Sequence, residues 1–220
     1  MKRTLGLIVA ALAMFAAFTI TTATAQAAKK DEPLVVCKFG CKYKKIQKAV
    51  DKAKKGDTIN VLPGKYKEGV IVEGRKYDDL TIQGMVEKKN GQFKKAKPKK
   101  VVLEGKNAKS DDGLAQNGIE AIDVSGITIK NLTAQNFATN GIFIRDSNPT
   151  DGDTSKDWDC RDYVVKNTFT SFNRSYGVYA FGCVGGKMLK STGVGHGDSA
   201  FYVGATPPQN KAKWTLLKGL

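Results

Sequence analysis

A short pattern that returns four times between residues 117 and 203 decides the fold. It reads Asn117-Gly118-Ile119, Asn140-Gly141-Ile142, Tyr176-Gly177-Val178 and Ser199-Ala200-Phe201. The middle positions lie 23, 36 and 23 residues apart, and each return opens a stretch in which apolar and polar residues alternate. Repeats of about 20 to 30 residues that carry short strands are typical of solenoids, in which each coil stacks on the previous one. The middle step is 13 residues longer than the others, so one coil carries an insertion.

The alternation within the repeat assigns side chains to the inside or the outside of the coils, because neighbouring residues of a strand point to opposite faces. The apolar pair Ile119 and Ala121 is predicted to point inward, together with its counterparts in the later coils. Those counterparts are Ile142, Ile144, Val178, Ala180, Phe201 and Val203. Asn131 and Asn167 share another phase, which predicts a ladder of asparagine side chains at a coil corner.

The outward position beside the apolar pair reads Glu120, Phe143, Tyr179 and Tyr202 in four coils. Exposed rings suit the apolar faces of sugars, and tyrosine hydroxyls suit their polar edges, so this row is the predicted substrate-binding surface. Arg145 lies two residues beyond Phe143 on the same face and is the predicted partner for a carboxylate. In the alternative interpretation, the insertion folds over the rings with Trp158, and the rings belong to a small second core.

The chain before these repeats predicts a helix, short strands and a polar loop. Residues 43 to 55 place Ile46, Ala49, Val50 and Ala53 at helical spacing, and a short helix before a solenoid is expected to cap its first coil. Strands are predicted at 57–61, 70–72, 80–82 and 101–103. Residues 85 to 100 carry seven lysines and are predicted to project as a loop. This loop either grips an anionic polymer or is a solvated surface loop.

Three segments near the start carry a family resemblance. They are Lys45-Ile46-Gln47-Lys48-Ala49-Val50, Gly56-Asp57-Thr58-Ile59 and Leu62-Pro63-Gly64-Lys65-Tyr66. They resemble the opening of secreted right-handed parallel β-helix repeat proteins of the pectate-lyase-like superfamily, and the likeness extends from Cys37 to Val203. The resemblance implies an all-β solenoid with a short N-terminal capping helix. It leaves the function open, because the superfamily includes lyases, hydrolases, epimerases and binding proteins.

The first residues and the charge indicate where the protein works. Residues 1 to 28 combine Lys2 and Arg3, an apolar run from Leu5 to Ile20 and small-residue cleavage sites, which predicts a signal peptide; an uncleaved anchor is the alternative. Residues 29 to 220 then form one domain that is secreted or held in the cell envelope, with no membrane span. The formal net charge is +15. Export argues against nucleic acid, so the charge favours a polysaccharide, a cell-wall polymer or a membrane surface, unless it only keeps the protein soluble.

Four cysteines in an exported chain predict two disulfides. Cys37 and Cys41 are close enough for a bridge to close the turn between them. Cys160 and Cys183 lie 23 residues apart, which is one coil, and neighbouring rungs are within reach of a disulfide. A zinc site is disfavoured, because the chain has one histidine and no Cys-x-x-Cys.

Several polar residues are predicted to carry chemistry. His196 lies beside Asp198 in a glycine-rich turn near the tyrosine row, which predicts a general acid or base with Asp198 as its partner, unless the lone histidine is incidental. Asp123 and Asp146 share a phase one coil apart, so they are a predicted calcium site, unless they bond turn backbone instead. Lyases of the superfamily commonly use calcium and a basic residue, a role that Arg145 resembles. The arginine motif of pectate lyases and the Asp-Pro-His motif of alginate epimerases are both absent from the sequence, so no family catalytic residue carries over.

The combined prediction is an exported β-helix protein that binds, or binds and cleaves, an anionic polysaccharide along its outer face. If it is an enzyme, it is a polysaccharide lyase or a glycoside hydrolase. The alternative is a non-catalytic surface or envelope scaffold. Residues 148 to 160 are expected to project as a second, acidic loop that resembles a calcium loop only loosely. The sequence after Val203 starts a further strand and then stops, which predicts a chain truncated before its last coils.

Overall fold

The computed structural model describes residues 34–88, 90–110, 113–147, 159–205 and 216–220, and everything below refers to these residues. They form one α-helix, α1 (Ile46–Val50), and strands numbered β1 to β20 in chain order. The strands are Leu34–Val36, Thr58–Val61, Gly64–Tyr66, Val70–Glu73, Thr81–Glu87, Phe93–Lys95, Val101–Glu104, Lys109–Ser110, Gly113–Leu114, Ile119–Ile122, Thr128–Lys130, Thr133–Gln135, Ile142–Arg145, Val164–Lys166, Phe169–Ser171, Val178–Phe181, Lys187–Leu189, Thr192–Val194, Phe201–Gly204 and Leu216–Lys218.

Seventeen of these strands build three parallel sheets, and each of five successive coils adds one strand to every sheet. Sheet A has the order β1-β2-β5-β11-β14-β17-β20, sheet B the order β3-β7-β12-β15-β18, and sheet C the order β4-β10-β13-β16-β19. Pairing between strands of successive coils, with short turns between the sheets, defines a solenoid. The predicted parallel β-helix is confirmed.

Apolar ladders fill the interior in the predicted phases. On sheet C, Ile119 pairs in register with Ile142, which pairs with Val178, and all three are fully buried. The ladder of sheet A consists of Ile59, Ile82, Ile129, Val165 and Met188, again fully buried. The repeated apolar positions therefore form one continuous core along the axis.

The inward ladder of sheet B becomes smaller along the chain. It reads Tyr66, Leu103, Ala134, Thr170 and Gly193 in register. The interior beneath sheet B is thus filled by sheet side chains in the first coils. In the later coils it leaves room for side chains that enter from the turns.

The corner between sheets A and B carries the predicted asparagine ladder. Asn131 and Asn167 adopt left-handed backbone conformations, with φ of 61° and 51°, which asparagine tolerates better than most residues. The Nδ2 group of Asn167 donates to Oδ1 of Asn131 at 2.8 Å. One residue therefore makes the turn in each of these coils, and its amide links one coil to the next.

The capping helix is confirmed but is shorter than the predicted 43–55. Its residues Ile46, Ala49 and Val50 are fully buried. The Gln47 side chain accepts from the Ile71 N–H at 2.7 Å and donates to the Ile71 carbonyl at 3.1 Å, so it completes the free edge of β4. The helix ends because the next turn closes with bonds three residues back, such as Ala53 N–H to the Val50 carbonyl.

The lysine-rich segment 85–100 is not an irregular loop. Strand β5 extends to Glu87 and pairs antiparallel with β6, with Met85 opposite Lys95 and Glu87 opposite Phe93. A 3₁₀ turn, Pro98–Lys100, then leads into β7. The antiparallel partner satisfies the backbone of the extended strand, which explains why a mostly polar run is ordered here.

Both predicted disulfides are confirmed. Cys37 bonds Cys41, and Cys160 bonds Cys183 across one coil, with a Cα–Cα distance of 4.8 Å. The adjoining residues Arg161 and Val184 form a parallel bridge, so the second disulfide joins positions in register. The predicted signal peptide (1–28) and residues 148 to 158 of the insertion lie outside the described residues. Within those residues, no helix has the length and apolar character to cross a membrane.

Candidate functional site

The outward row of sheet C has the register that the repeat predicts. Glu120 pairs with Phe143, Phe143 with Tyr179, and Tyr179 with Tyr202, on strands β10, β13, β16 and β19. The first three side chains are half-buried, and Tyr202 is 42% exposed. A line of one carboxylate and three rings therefore runs along the solenoid axis, across four coils.

The rings stack on one another. The centroids of Phe143 and Tyr179 are 4.7 Å apart and the planes differ by 9°. Tyr179 also meets Tyr202 at 5.2 Å and Phe181 at 5.7 Å in tilted arrangements. Because the faces of Phe143 and Tyr179 cover each other, this part of the row presents ring edges and hydroxyls to solvent. The expected flat platform for sugar faces is limited to the more exposed Tyr202.

Tyr176 is a further member of the ring cluster, which the sequence reasoning missed. Its ring stacks on Tyr202 at 5.1 Å and meets Tyr179 at 4.7 Å. It occupies the turn before β16, in the phase that Asn117 and Asn140 fill in earlier coils. There the Asn140 N–H and side-chain amide both bond Oδ1 of Asn117. The sequence signal for Tyr176 was that an aromatic residue replaces the asparagine found at this repeat position in the two preceding coils.

Asp198 joins the site through Tyr176. The Asp198 carboxylate lies close enough to the Tyr176 hydroxyl to affect its titration. Reduced solvation, followed by the negative charge of Asp198, raises the pKa of Tyr176. Desolvation and the neighbouring tyrosines likewise raise the pKa of Tyr179. Both hydroxyls therefore remain protonated hydrogen-bond donors at neutral pH.

At the other end of the row, Glu120 holds Arg145. The Arg145 Nε donates to Oε1 of Glu120 at 2.9 Å, and Asn117 Nδ2 donates to Oε2 at 2.7 Å. The guanidinium carbon also lies 5.8 Å from the centroid of Phe143. Arg145 is thus fixed by a carboxylate and lies against a ring, which places it to orient a ligand on this face.

A cleft continues the row beyond Glu120. It has a volume of about 230 Å³ and lies between β4 and the segment that follows the small hairpin β8–β9. Its lining includes Gly69, Val70, Ile71, Leu114, Gln116 and Glu120. Leu114 is 67% exposed, so this end of the face adds an apolar wall beside a carboxylate.

His196 does not face the rings. It shares its phase with Phe137 and Asn173, both buried, and its ring nitrogens lie 3.1 Å from Thr170 Oγ1 and 3.2 Å from the Asn173 N–H. The imidazole fills the space that the small inward residues Thr170 and Gly193 leave beneath sheet B. Burial lowers the pKa of His196. The structure thus separates His196 from Asp198, which the sequence had paired, because the turn points the two side chains in different directions.

Asp123 and Asp146 lie one coil apart, as predicted, but they bond backbone. Asp123 Oδ1 accepts from Ser147 N–H at 2.7 Å, and Asp146 Oδ2 accepts from Asp159 N–H at 3.0 Å. The two carboxylates therefore fix the described residues on either side of the insertion. The described part of the chain contains no group of three or more acidic, histidine or cysteine side chains that could hold a metal, and the calcium site stays a prediction.

The fold and this face define a parallel β-helix protein with an aromatic and carboxylate row on one sheet. No family model matches the sequence, and no curated protein does. Among solved structures, the chain is similar to the pectin methylesterase from Aspergillus niger, with 12% sequence identity and a TM-score of 0.45. The match covers 84% of this chain and 64% of the esterase chain, so this chain spans a little under two thirds of that length. The fold assignment rests on the three sheets themselves.

Proposed function

We propose that this chain is an exported polysaccharide-binding protein that holds a glycan along the outward face of sheet C. The row of Glu120, Phe143, Tyr179 and Tyr202 carries this proposal, because it repeats ligand-type side chains at each coil in one straight line. Glycan chains repeat in the same linear way. The two disulfides support export, since such bonds persist in oxidising compartments.

The contacts available on this face suit a sugar polymer. Tyr202 offers an exposed ring, and the hydroxyls of Tyr176 and Tyr179 offer donors at the ring edges. Arg145 and Asp198 add charged groups that bond sugar hydroxyls. The charged groups of the row are one guanidinium and two carboxylates, so the face favours a neutral or weakly charged stretch of glycan over a dense polyanion.

Binding is better supported than cleavage. Lyase chemistry needs a base beside a uronate carbon, and hydrolase chemistry needs two carboxyl groups flanking the bond. Arg145 is tied to Glu120 at 2.9 Å, and the neutral His196 points into the core. Asp198 faces the cluster at the opposite end from Glu120. Among the described residues, this face therefore contains neither a free base for lyase chemistry nor two carboxyl groups placed on either side of one glycosidic bond.

The test compares Tyr202→Ala with the parent in calorimetric titrations against a panel of neutral and uronate oligosaccharides. We expect the best neutral ligand to bind about three- to tenfold more weakly, the range for loss of one aromatic contact of roughly 0.5–1.5 kcal/mol. Phe172→Ala is the matched control, because Phe172 is a ring that is 64% exposed away from sheet C. The control should bind normally.

Two results would change the proposed function. Formation of unsaturated or newly reducing ends during the titrations would show that the protein cleaves its glycan. Absence of binding to every member of the panel, by a folded parent protein, would contradict the proposal and favour the surface or envelope scaffold.

A further inference from the structure

A second, separate groove lies on the outer side of sheet A. It has a volume of about 550 Å³ and runs beside the hairpin β5–β6. Its lining includes Gln83, Lys95, Lys130, Lys166, Asn167 and Lys190. Amide and ammonium groups thus dominate its polar surface, and none of its lining residues is acidic.

The groove lysines are not neutralised by the described protein. Lys48, Lys55 and Lys65 elsewhere form salt bridges with carboxylates. None of the four lysines of the groove does so with any residue that the structure describes. Like charges gathered in a concave surface raise the local positive potential, so the groove attracts anions more strongly than lysines scattered over a surface.

The groove charges follow the axis of the solenoid. Gln83 pairs in register with Lys130, and Lys130 pairs with Lys166. Lys190 follows directly after β17, the next strand of sheet A. The partner of Lys166 on β17 is Leu189, so the in-register line consists of Gln83, Lys130 and Lys166, at the spacing of about 4.8 Å between parallel strands, and Lys190 lies beside it at the corner.

The basic surface continues around the asparagine corner onto sheet B. A second hollow of about 320 Å³ shares Asn167 and Lys190 with the groove and adds Lys97 and Lys99. The Lys99 ammonium lies 4.5 Å from the centroid of Phe169. The lysine-rich segment 93–100 therefore lines both hollows. Because strand β6 of this segment pairs with β5, its lysines are held in place beside the groove.

We infer that this groove binds a linear polyanionic polysaccharide through its repeating charges. Two cations on neighbouring coils, with Lys95 and Lys190 lining the same groove, fit a polymer that carries a charge on each repeat, and the amides of Gln83, Asn131 and Asn167 suit its hydroxyl groups. The concave shape disfavours a flat lipid surface. This inference does not depend on the sheet C proposal, because it rests on a different sheet and on charge instead of aromatic contact.

The test measures binding of an oligogalacturonate of defined length, a sulfated dextran fragment and unsulfated dextran at low and high salt. In Lys130→Ser/Lys166→Ser, we expect affinity for an anionic ligand to fall about fivefold at low salt, as for two exposed charge pairs. The loss should shrink at high salt, because such contacts are screened. Lys95→Ser/Lys190→Ser, which replaces two exposed lysines, provides an independent variant if the first fails to fold.

Lys44→Ser/Lys67→Ser is the matched control, since it removes the same two charges from exposed sites near the first coil. It should bind as the parent does, and Tyr202→Ala should keep its affinity for the anionic ligands. Binding of the carboxylated or the sulfated ligand alone identifies which anion the groove takes. An equal loss in the control, or equal affinity for uncharged dextran, overturns the inference.

Discussion

Replacing Tyr179 with alanine tests whether the aromatic row is a structural cluster as well as a binding surface. The Tyr179 ring has four aromatic neighbours, at centroid distances of 4.7, 4.7, 5.2 and 5.7 Å. Each such pair stabilises by roughly 0.5–1.5 kcal/mol, but neighbouring pairs are not additive. We therefore expect the free energy of unfolding to fall by about 2–3 kcal/mol in Tyr179→Ala.

The comparison with Tyr202 makes this prediction specific. Tyr202 has two ring partners instead of four, and it is the most exposed ring of the row. Tyr202→Ala should therefore lower the free energy of unfolding by only about 1 kcal/mol. Tyr179→Phe keeps every ring contact and should stay within about 0.5 kcal/mol of the parent.

The assay is urea unfolding followed by circular dichroism, with the slope of the transition compared between variants. For a domain of this size, the loss in Tyr179→Ala corresponds to a melting temperature lower by about 4–12 °C. A Tyr179→Ala protein as stable as Tyr179→Phe would refute the idea that the stacked rings hold the later coils together.

Two further predictions concern the cap and the half-buried His196. Gln47→Ala removes both bonds to the Ile71 backbone and should lower the free energy of unfolding by about 1–3 kcal/mol. The control Lys48→Ala, on the same helix, should lower it by well under half of that amount in the same urea assay. Equal losses in the two variants would contradict the edge-capping role of Gln47. Because the folded pKa of His196 is lowered, its unfolded form binds a proton first as pH falls below about 6.5. The stability that the neutral ring contributes is thus complete above that pH and declines below it. His196→Gln should flatten the pH dependence of urea unfolding there, and an unchanged profile would show that His196 titrates like an exposed histidine.

The fold could be predicted in detail because the coil repeat fixes phase. If Ile119 and Ile142 point inward, the alternation of side chains along a strand requires Glu120 and Phe143 to point outward. The structure confirms this arrangement. The pairing of Cys160 with Cys183 follows from the same reasoning, since one coil separates them. These predictions depend only on strand geometry, which is nearly independent of sequence.

Turn residues could not be placed in this way. The side chains of Tyr176 and His196 lie outside the strands, where alternation gives no direction. His196 could have been placed by comparison with Phe137, since an apolar residue in the same phase indicates an inward position. The inward orientation of the His196 side chain was not predicted, because the strands of sheet B are short and the surrounding glycines suggested an exposed turn.

The hairpin in residues 85 to 100 was missed for a different reason. Between residues 85 and 100, Val86 and Phe93 are the only β-branched or aromatic residues, so the apolar alternation that normally indicates a strand is weak. Strand β6 is ordered by pairing with the extension of β5. Antiparallel backbone bonds do not depend on side-chain polarity, so a lysine-rich segment can form them when a paired strand is already in place.

The stacking of the rings follows from the solenoid itself. In-register residues of neighbouring coils are about 4.8 Å apart, which lies within the range at which aromatic pairs attract. Rings that share a phase, such as Phe143 and Tyr179, therefore meet each other before they meet a ligand. A glycan on sheet C must bind to ring edges, hydroxyls and the exposed ring of Tyr202, while the strong positive charge of the protein is available on sheet A. The rings and the one cation expected beside them, Arg145, thus share sheet C, whereas the lysine groove lies on a different face of the same coils.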